Sequence, residues 1–259
     1  MGISVTGLSI TPVKSTRLQE VDTIELGRTG VRDNRRFYIV DGRRHLINGK
    51  RLGELNAVVA EYAAPRLKLT FPDGATVEDD VRLGEEVETR FFSVTDSGRL
   101  LEGPFSQALT DYTGQPLELV EARASAIDRG SMGVASLISR ASLSRLAQEN
   151  GDHDMDWRRF RMLIEIDGVG PHEEDTWLGR ATRIGGAVVM WGGNVGRCLT
   201  TSRDPDTGNV DLPTLDMLRR YRGEMKTTEP LPFGIYGEVL EAGEVRVGDA
   251  VAVLNGSRG

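Results

Sequence analysis

Apolar and polar positions alternate loosely through Ile3, Val5, Leu8 and Ile10, which predicts a strand over 2–10 closed by Pro12, a residue with no N–H for a ladder. The same period predicts strands over 21–26 and 35–40, with Gly27, Gly30 and Asp41-Gly42 as turns, so these three read as a small antiparallel meander. Residues 67–71 and 76–81 flank Pro72-Asp73-Gly74, whose Pro and Gly suit the φ values of a tight turn and predict a further hairpin. Four or five strands then precede a short helix over 105–112, stopped by Gly114, and a strand over 116–120. Beyond the Ser/Gly-rich stretch 125–136, Ser142 is a plausible N-cap for a helix carrying Leu143 and Leu146 and ending near Gly151. Strands follow over 162–166 and 187–191, a helix over 213–221, a loop over 219–232, and closing strands marked by Val239, Val245, Val247, Val251 and Val253. The expected fold is mainly β with a few helices, divided at the Ser/Gly-rich stretch into residues 1–124 and 125–259.

Composition narrows the function classes. A chain of 259 residues can bury one substantial core or two smaller ones, and 31 glycines agree with many turns between short strands. A net charge of −7, with no block of basic residues, argues against a nucleic-acid partner. No basic leader runs into an apolar stretch and no apolar run nears the ~18 residues of a membrane helix, so a cytoplasmic protein without a membrane anchor is expected. The one cysteine excludes an internal disulfide, a tetra-thiolate zinc site and an iron–sulfur cluster within this sequence. His45, His153 and His172 are scattered and give no metal-ligand spacing.

That cysteine stands in unusual company. Gly192-Gly193-Asn194-Val195-Gly196-Arg197-Cys198 is a glycine-rich turn after a strand, and an adjacent guanidinium favours the thiolate, the form that ligates a metal or attacks sulfur. A buried core cysteine after an ordinary turn is the competing reading. Asp204-Pro205-Asp206-Thr207-Gly208, taken alone, is a compact loop.

In combination these segments resemble the MOSC family: Arg197-Cys198, then Asp204 to Gly208, then Phe233-Gly234-Ile235-Tyr236, then Val247-Gly248-Asp249. The first half resembles the β-barrel domain that precedes MOSC in many members, through Thr11-Pro12-Val13-Lys14-Ser15 and the segment Gly30 to Phe37, with Asn34 where the family usually has Asp. Between them, Leu137 to Leu143, Phe160-Arg161 and Glu174-Asp175-Thr176-Trp177 match further family segments. Two departures stand out: Met162-Leu163 replaces Pro-Asn, and the family's Asp near the domain junction falls on Ser131. The resemblance runs from about residue 3 to residue 254.

The resemblance implies a small N-terminal β-barrel packed on a β-barrel-like MOSC domain, and a molybdenum cofactor (molybdenum-molybdopterin) held in a cleft between them. Cys198 matches the metal-ligand position, and soft sulfur suits such a metal. Lys14, Ser15, Arg35 and Arg161 match positions serving the pterin phosphate, with arginine able to bind bidentately and lysine as a point charge. Arg197 and Tyr236 match pocket-lining positions, and Gly130 and Ser131 match a contact segment loosely. The implied activity resembles the amidoxime-reducing branch, an oxidoreductase acting on small N-hydroxylated or N-oxide substrates. Its electrons would come from a separate electron-donor protein, since no second redox centre and no G-x-G-x-x-G nicotinamide turn is present. A non-redox cofactor carrier or a sulfur-transfer protein using Cys198 is the alternative, and a cofactor-free interaction domain a third.

Overall fold

The computed structural model describes residues 2–91, 94–227 and 229–254. Its largest sheet has eight strands in the order Val251–Val253, Ala181–Ile184, Ala187–Gly196, Pro232–Glu241, Ala135–Ser139, Ile164–Asp167, Ser4–Ile10 and Gln19–Glu20. All neighbours are antiparallel except Ala135–Ser139 and Ile164–Asp167, whose parallel pairing needs the crossover that helix Arg140–Ala147 supplies. A three-stranded sheet pairs Thr23–Gly27 with Gly243–Arg246 on one side and Gly30–Val31 on the other.

The expected meander is therefore corrected. The first strand pairs with Ile164–Asp167 and the next with Gly243–Arg246, because their inward residues Val5, Leu8, Ile24 and Leu26 complete an apolar core otherwise made of Leu137, Ile164, Ile166, Val189 and Val245. The division at 124/125 does not partition the sheets: strands Ser4–Ile10, Gln19–Glu20, Thr23–Gly27 and Gly30–Val31 belong to sheets of the second half.

The remainder of the first half has its own core, with Val13, Phe37, Ile39, Leu67, Phe105 and Leu119 fully buried. A four-stranded sheet runs Phe37–Asp41, Leu117–Ala122, Val94–Glu102, Arg82–Phe91, and a three-stranded one Val59–Ala63, Arg66–Thr70, Thr76–Asp80, the last turning at the expected Pro72-Asp73-Gly74. The long hairpin Arg82–Phe91 with Val94–Glu102 has no counterpart in the sequence reading, since Glu85, Glu86, Glu88 and Arg90 leave little apolar alternation.

The chain thus crosses between the two cores along three segments, 11–16, 32–36 and 123–134, and these crossings build the site. Val13 bridges Phe37, and the N–H groups of Lys14 and Arg35 donate to the carbonyls of Phe37 and Thr11, so the first two crossings lie side by side. The Asn34 side chain accepts the Thr11 N–H at 3.1 Å through its amide oxygen, a task for which the family's Asp would offer the same atom type.

Candidate functional site

A cleft of about 470 Å³ opens where these crossings meet the strand ends of the second half. Lys14, Ser15, Arg35, Arg161, Arg197, Cys198 and Tyr236 all line it. Gly130 and Ser131 do not: they are exposed on the 3-10 turn Gly130–Gly133, of which Gly133 reaches the lining.

One end of the cleft is cationic and tightly built. The buried Lys14 ammonium donates to the Asp128 carboxylate and to the Ala126 carbonyl, both at 2.6 Å. Arg35 donates to the Arg161 carbonyl at 3.1 Å, and Arg161 to the Thr16 carbonyl at 2.7 Å and the Asn56 side chain at 3.5 Å. A guanidinium has five N–H donors, so these bonds leave donor edges on both arginines for a further acceptor. Ser15, Arg35 and Arg161 all sit at positive φ (79°, 53° and 53°), a conformation that costs a non-glycine residue on the order of 1–3 kcal/mol and clusters at functional sites.

Burial pulls Lys14 down to about 8, with Asp128 opposing and Arg35 and Arg161 adding to the fall. Burial, then the facing Arg35, pulls Arg161 down to about 9. Burial likewise lowers Arg35, against the attraction of Asp128. Burial disfavours ionised Asp128, but Lys14 and Arg35 outweigh it and hold the carboxyl below its usual range. At neutral pH the cluster is therefore three cations against one carboxylate, an excess of positive charge facing the cleft.

The Asp204 to Gly208 loop explains how Arg161 is held. The Asp204 carboxylate caps the loop from within, accepting the N–H groups of Asp206 and Thr207. Asp206 then ion-pairs with Arg158 at 2.9 Å, in the 3-10 turn Trp157–Phe160 that presents Arg161, while its carbonyl accepts Arg17 at 2.6 Å. The loop therefore fastens the segment behind Ser15 to the segment before Arg161.

The other end of the cleft is open. Cys198 is exposed, against the buried-core reading, and among the described residues its Sγ makes one hydrogen bond, to the Thr200 hydroxyl at 3.5 Å. It follows the strand Ala187–Gly196, whose pairing with Pro232–Glu241 is interrupted near Trp191/Gly193 and Asn194/Gly196, irregularities that re-aim a strand end. Asp175 braces this strand, accepting Asn194 at 2.8 Å and Arg222 at 2.6 Å, while Arg222 also donates to the Pro232 carbonyl. Arg197 turns inward: its guanidinium donates to the carbonyls of Phe160 at 2.8 Å and Phe233, and meets the Met162 sulfur at 3.0 Å. Met162 thus fills the core under Arg197 and gives it a soft acceptor, which accommodates the departure from Pro-Asn.

Asp128, Arg129, Asn56 and Glu229 are site residues absent from the sequence reading. Asp128 and Arg129 fall in the stretch read as a domain join and Glu229 in a stretch read as a loop; neither has a periodicity that would flag it. Among the described residues no group of three or more His, Cys, Asp and Glu side chains could hold a metal ion. A metal bound here would take one thiolate from the protein and its other ligands from elsewhere, which suits a metal carried by an organic group whose phosphate meets the cationic end.

The MOSC domain family model matches residues 126–252, and the MOSC N-terminal beta barrel domain matches residues 2–116. "Mitochondrial amidoxime reducing component 2" of Bos taurus is 28% identical over 282 aligned residues, covering 96% of this chain and 82% of that protein. Its human namesake is 39% identical over 104 residues, a match spanning 38% of this chain and 30% of that protein. "Mitochondrial amidoxime-reducing component 1" of Danio rerio is 25% identical over 276 aligned residues, covering 95% of this chain and 83% of that protein. Among solved structures, the YUAD protein from Bacillus subtilis covers 98% of this chain and 96% of its own at 12% identity, with a TM-score of 0.46. No helix among the described residues is long and apolar enough to cross a membrane.

Proposed function

Because the chain belongs to the MOSC family, carrying a MOSC N-terminal beta barrel domain before its MOSC domain, we propose that its cleft binds molybdenum-molybdopterin and that it reduces N-hydroxylated or N-oxide substrates. One observation carries this reading: an exposed thiol and a buried cation cluster, from segments far apart in sequence, line a single cleft. The names of the amidoxime-reducing relatives supply the reaction class.

Cys198 would ligate the metal, its exposed sulfur held only by the long hydrogen bond to Thr200 among the described residues. Arg35 and Arg161 would bind the phosphate through their free N–H edges and Lys14 as a point charge, with Ser15 donating once its hydroxyl turns from the Ile47 carbonyl, 3.3 Å away. Arg197 holds the strand end bearing Cys198 against Phe160 and Phe233, and Tyr236 forms the wall beside it. When bound, the cofactor supplies the redox chemistry, and the protein supplies binding, orientation and electrostatics. With its one cysteine committed to the metal, the chain has no thiolates for a second redox centre, so electrons would arrive from a separate donor protein.

The exposure of Cys198 also favours a second reading, a cofactor carrier or a sulfur-transfer protein using that thiol. Turnover decides between them. Molybdenum-loaded protein given an artificial one-electron donor should reduce benzamidoxime, and should fail with NADH or NADPH alone. Inactivity with strong artificial donors across several N-oxygenated substrates would favour the carrier, and turnover with NADPH without a partner would contradict the electron route.

A further inference from the structure

Seven cations and two carboxylates line the cleft, and in a chain of net charge −7 that concentration of positive charge is local. Most of it is already engaged within the protein. Lys14 meets Asp128 at 2.6 Å, Arg129 meets Glu229 at 2.8 Å and Arg159 meets Asp211, while Arg35, Arg161 and Arg197 donate to main-chain carbonyls. Lys50 differs. It is exposed, and only its backbone is bonded: its N–H donates to the Asn48 side chain at 3.1 Å and its carbonyl accepts Arg203 at 3.5 Å. Among the described residues its ammonium has no hydrogen-bonding or ion-pair partner.

The loop 47–53 that carries Lys50 runs along the cleft between its two ends. It starts beside Ser15, whose hydroxyl donates to the Ile47 carbonyl at 3.3 Å. A Cβ on Gly49 would stand 3.5 Å from the Asn56 side-chain oxygen and 3.1 Å from the methyl carbon of Thr200, two residues beyond Cys198. The bond from Arg203 then draws Lys50 towards the turn Leu199–Ser202 that follows the thiol. The loop is braced. Asn48 accepts the N–H groups of Lys50 and Arg51, and the Arg51 side chain turns away onto Asp41 at 3.0 Å, so Lys50 is the member that faces the cleft.

A cation on a braced loop, at the rim of the cleft and without a partner of its own, is a seat for a negative group on a ligand. We propose that Lys50 is a specificity residue for N-oxygenated substrates that carry an anionic group such as a carboxylate, pairing with that group while the neutral N–O head lies beside residue 198. The inference rests on the reduction reading and assigns the part of the substrate that the reacting head does not specify. The neutral head makes no demand on Lys50, so substrates without the anion are accepted and those bearing it are preferred. Because the ammonium stays in water, the pair is screened by salt and its effect is several-fold.

Benzamidoxime and its 3- and 4-carboxylate derivatives are the probes. With no electron donor present they bind the molybdenum-loaded chain without being reduced, and calorimetric titration gives each Kd, with molybdenum content recorded for each variant. The measured quantity is the affinity of the better carboxylate derivative relative to benzamidoxime. In Lys50→Gln this ratio should fall about three- to fivefold, in Lys50→Glu further, and in Lys50→Arg it should hold. Salt at about 0.5 M should shrink the difference between wild type and Lys50→Gln. A ratio unchanged in both Lys50→Gln and Lys50→Glu would overturn the proposal, and so would loss of molybdenum from Lys50→Gln, which would assign Lys50 to the cofactor. Should the chain load no molybdenum, titration of the metal-free chain saturated with inorganic phosphate, which fills the cationic end, reads the same ratio. Turnover separates the proposal from the reading beneath it. Loaded protein that binds the carboxylates through Lys50 but reduces nothing with an artificial donor keeps the anion seat and fails the reductase reading. Protein that reduces benzamidoxime with a ratio indifferent to Lys50 does the reverse.

Discussion

The two ends of the cleft are built on opposite terms. At the cationic end Lys14 and Ser15 are 6% and 5% exposed, three residues hold positive φ, and Arg161 is tied to the backbone of the other half. At the thiol end Cys198 is exposed and hydrogen-bonded to the Thr200 hydroxyl. The first arrangement costs desolvation and backbone strain before any ligand arrives, which is worthwhile where a fixed anion must be gripped in one orientation. The second costs almost nothing and leaves the sulfur open to solvent.

The contrast breaks most sharply at Cys198. Cys198→Ser should abolish reductase turnover, a loss of at least about a thousandfold, while changing stability by no more than ~0.5 kcal/mol, as for an exposed side chain whose long hydrogen bond to Thr200 a serine hydroxyl can replace. Activity assays with thermal melts check both halves. At the other end, Arg161→Ala and Arg161→Gly should each weaken cofactor retention by roughly ten- to a hundredfold, on the scale of a lost bidentate phosphate contact. They should differ in stability, with Gly about 1 kcal/mol better than Ala because the φ of 53° is open to glycine. Denaturant melts of the two variants measure that difference.

A pH series sharpens the same contrast. Lys14 is lowered from 10.5 to about 8, chiefly by burial, so below pH 8 both folded and unfolded chains are protonated and the fold carries the cost of the buried charge, on the order of 3 kcal/mol. Between about pH 8 and 10.5 the unfolded chain binds the proton and the folded chain does not, so this group's contribution makes stability rise with pH. Phosphate affinity should fall over that window as the cluster loses a charge. Lys14→Met should flatten Lys14's share of both trends, read by melts and by inorganic phosphate titration. The smallest effect belongs to Asp128→Asn. Removing a carboxylate whose side chain is 41% exposed should tighten phosphate binding only a few-fold at neutral pH.

Much of this site is legible in the sequence because its members sit in short motifs whose glycine, proline and charge pattern carries a local reason. Lys14 follows a strand stopped by Pro12, and Cys198 follows a glycine-rich strand end. The turn at Pro72-Asp73-Gly74 and the helix stop at Gly114 are local for the same reason, and both stand where expected. What local pattern does not carry is pairing across the chain. Strands 4–10 and 23–27 alternate as a meander would, yet the apolar faces of Ile164, Ile166 and Val245 outcompete hairpin closure. The N-cap shifted for a similar reason: Ser139 caps helix Arg140–Ala147, and Ser142 instead donates to the buried Glu174 carboxylate. Asp128, Arg129 and Glu229 acquire their roles only from the crossing of the two cores, which no window of sequence contains.

In the proposed site Cys198 contributes the protein's sulfur to a metal whose cofactor phosphate is held by Lys14, Arg35 and Arg161. X-ray absorption at the molybdenum edge, on loaded wild-type and Cys198→Ser proteins of matched metal content, tests it directly. The wild-type spectrum should fit one more sulfur neighbour than the variant. Identical sulfur coordination in the two proteins would contradict the assignment of Cys198 as the metal ligand.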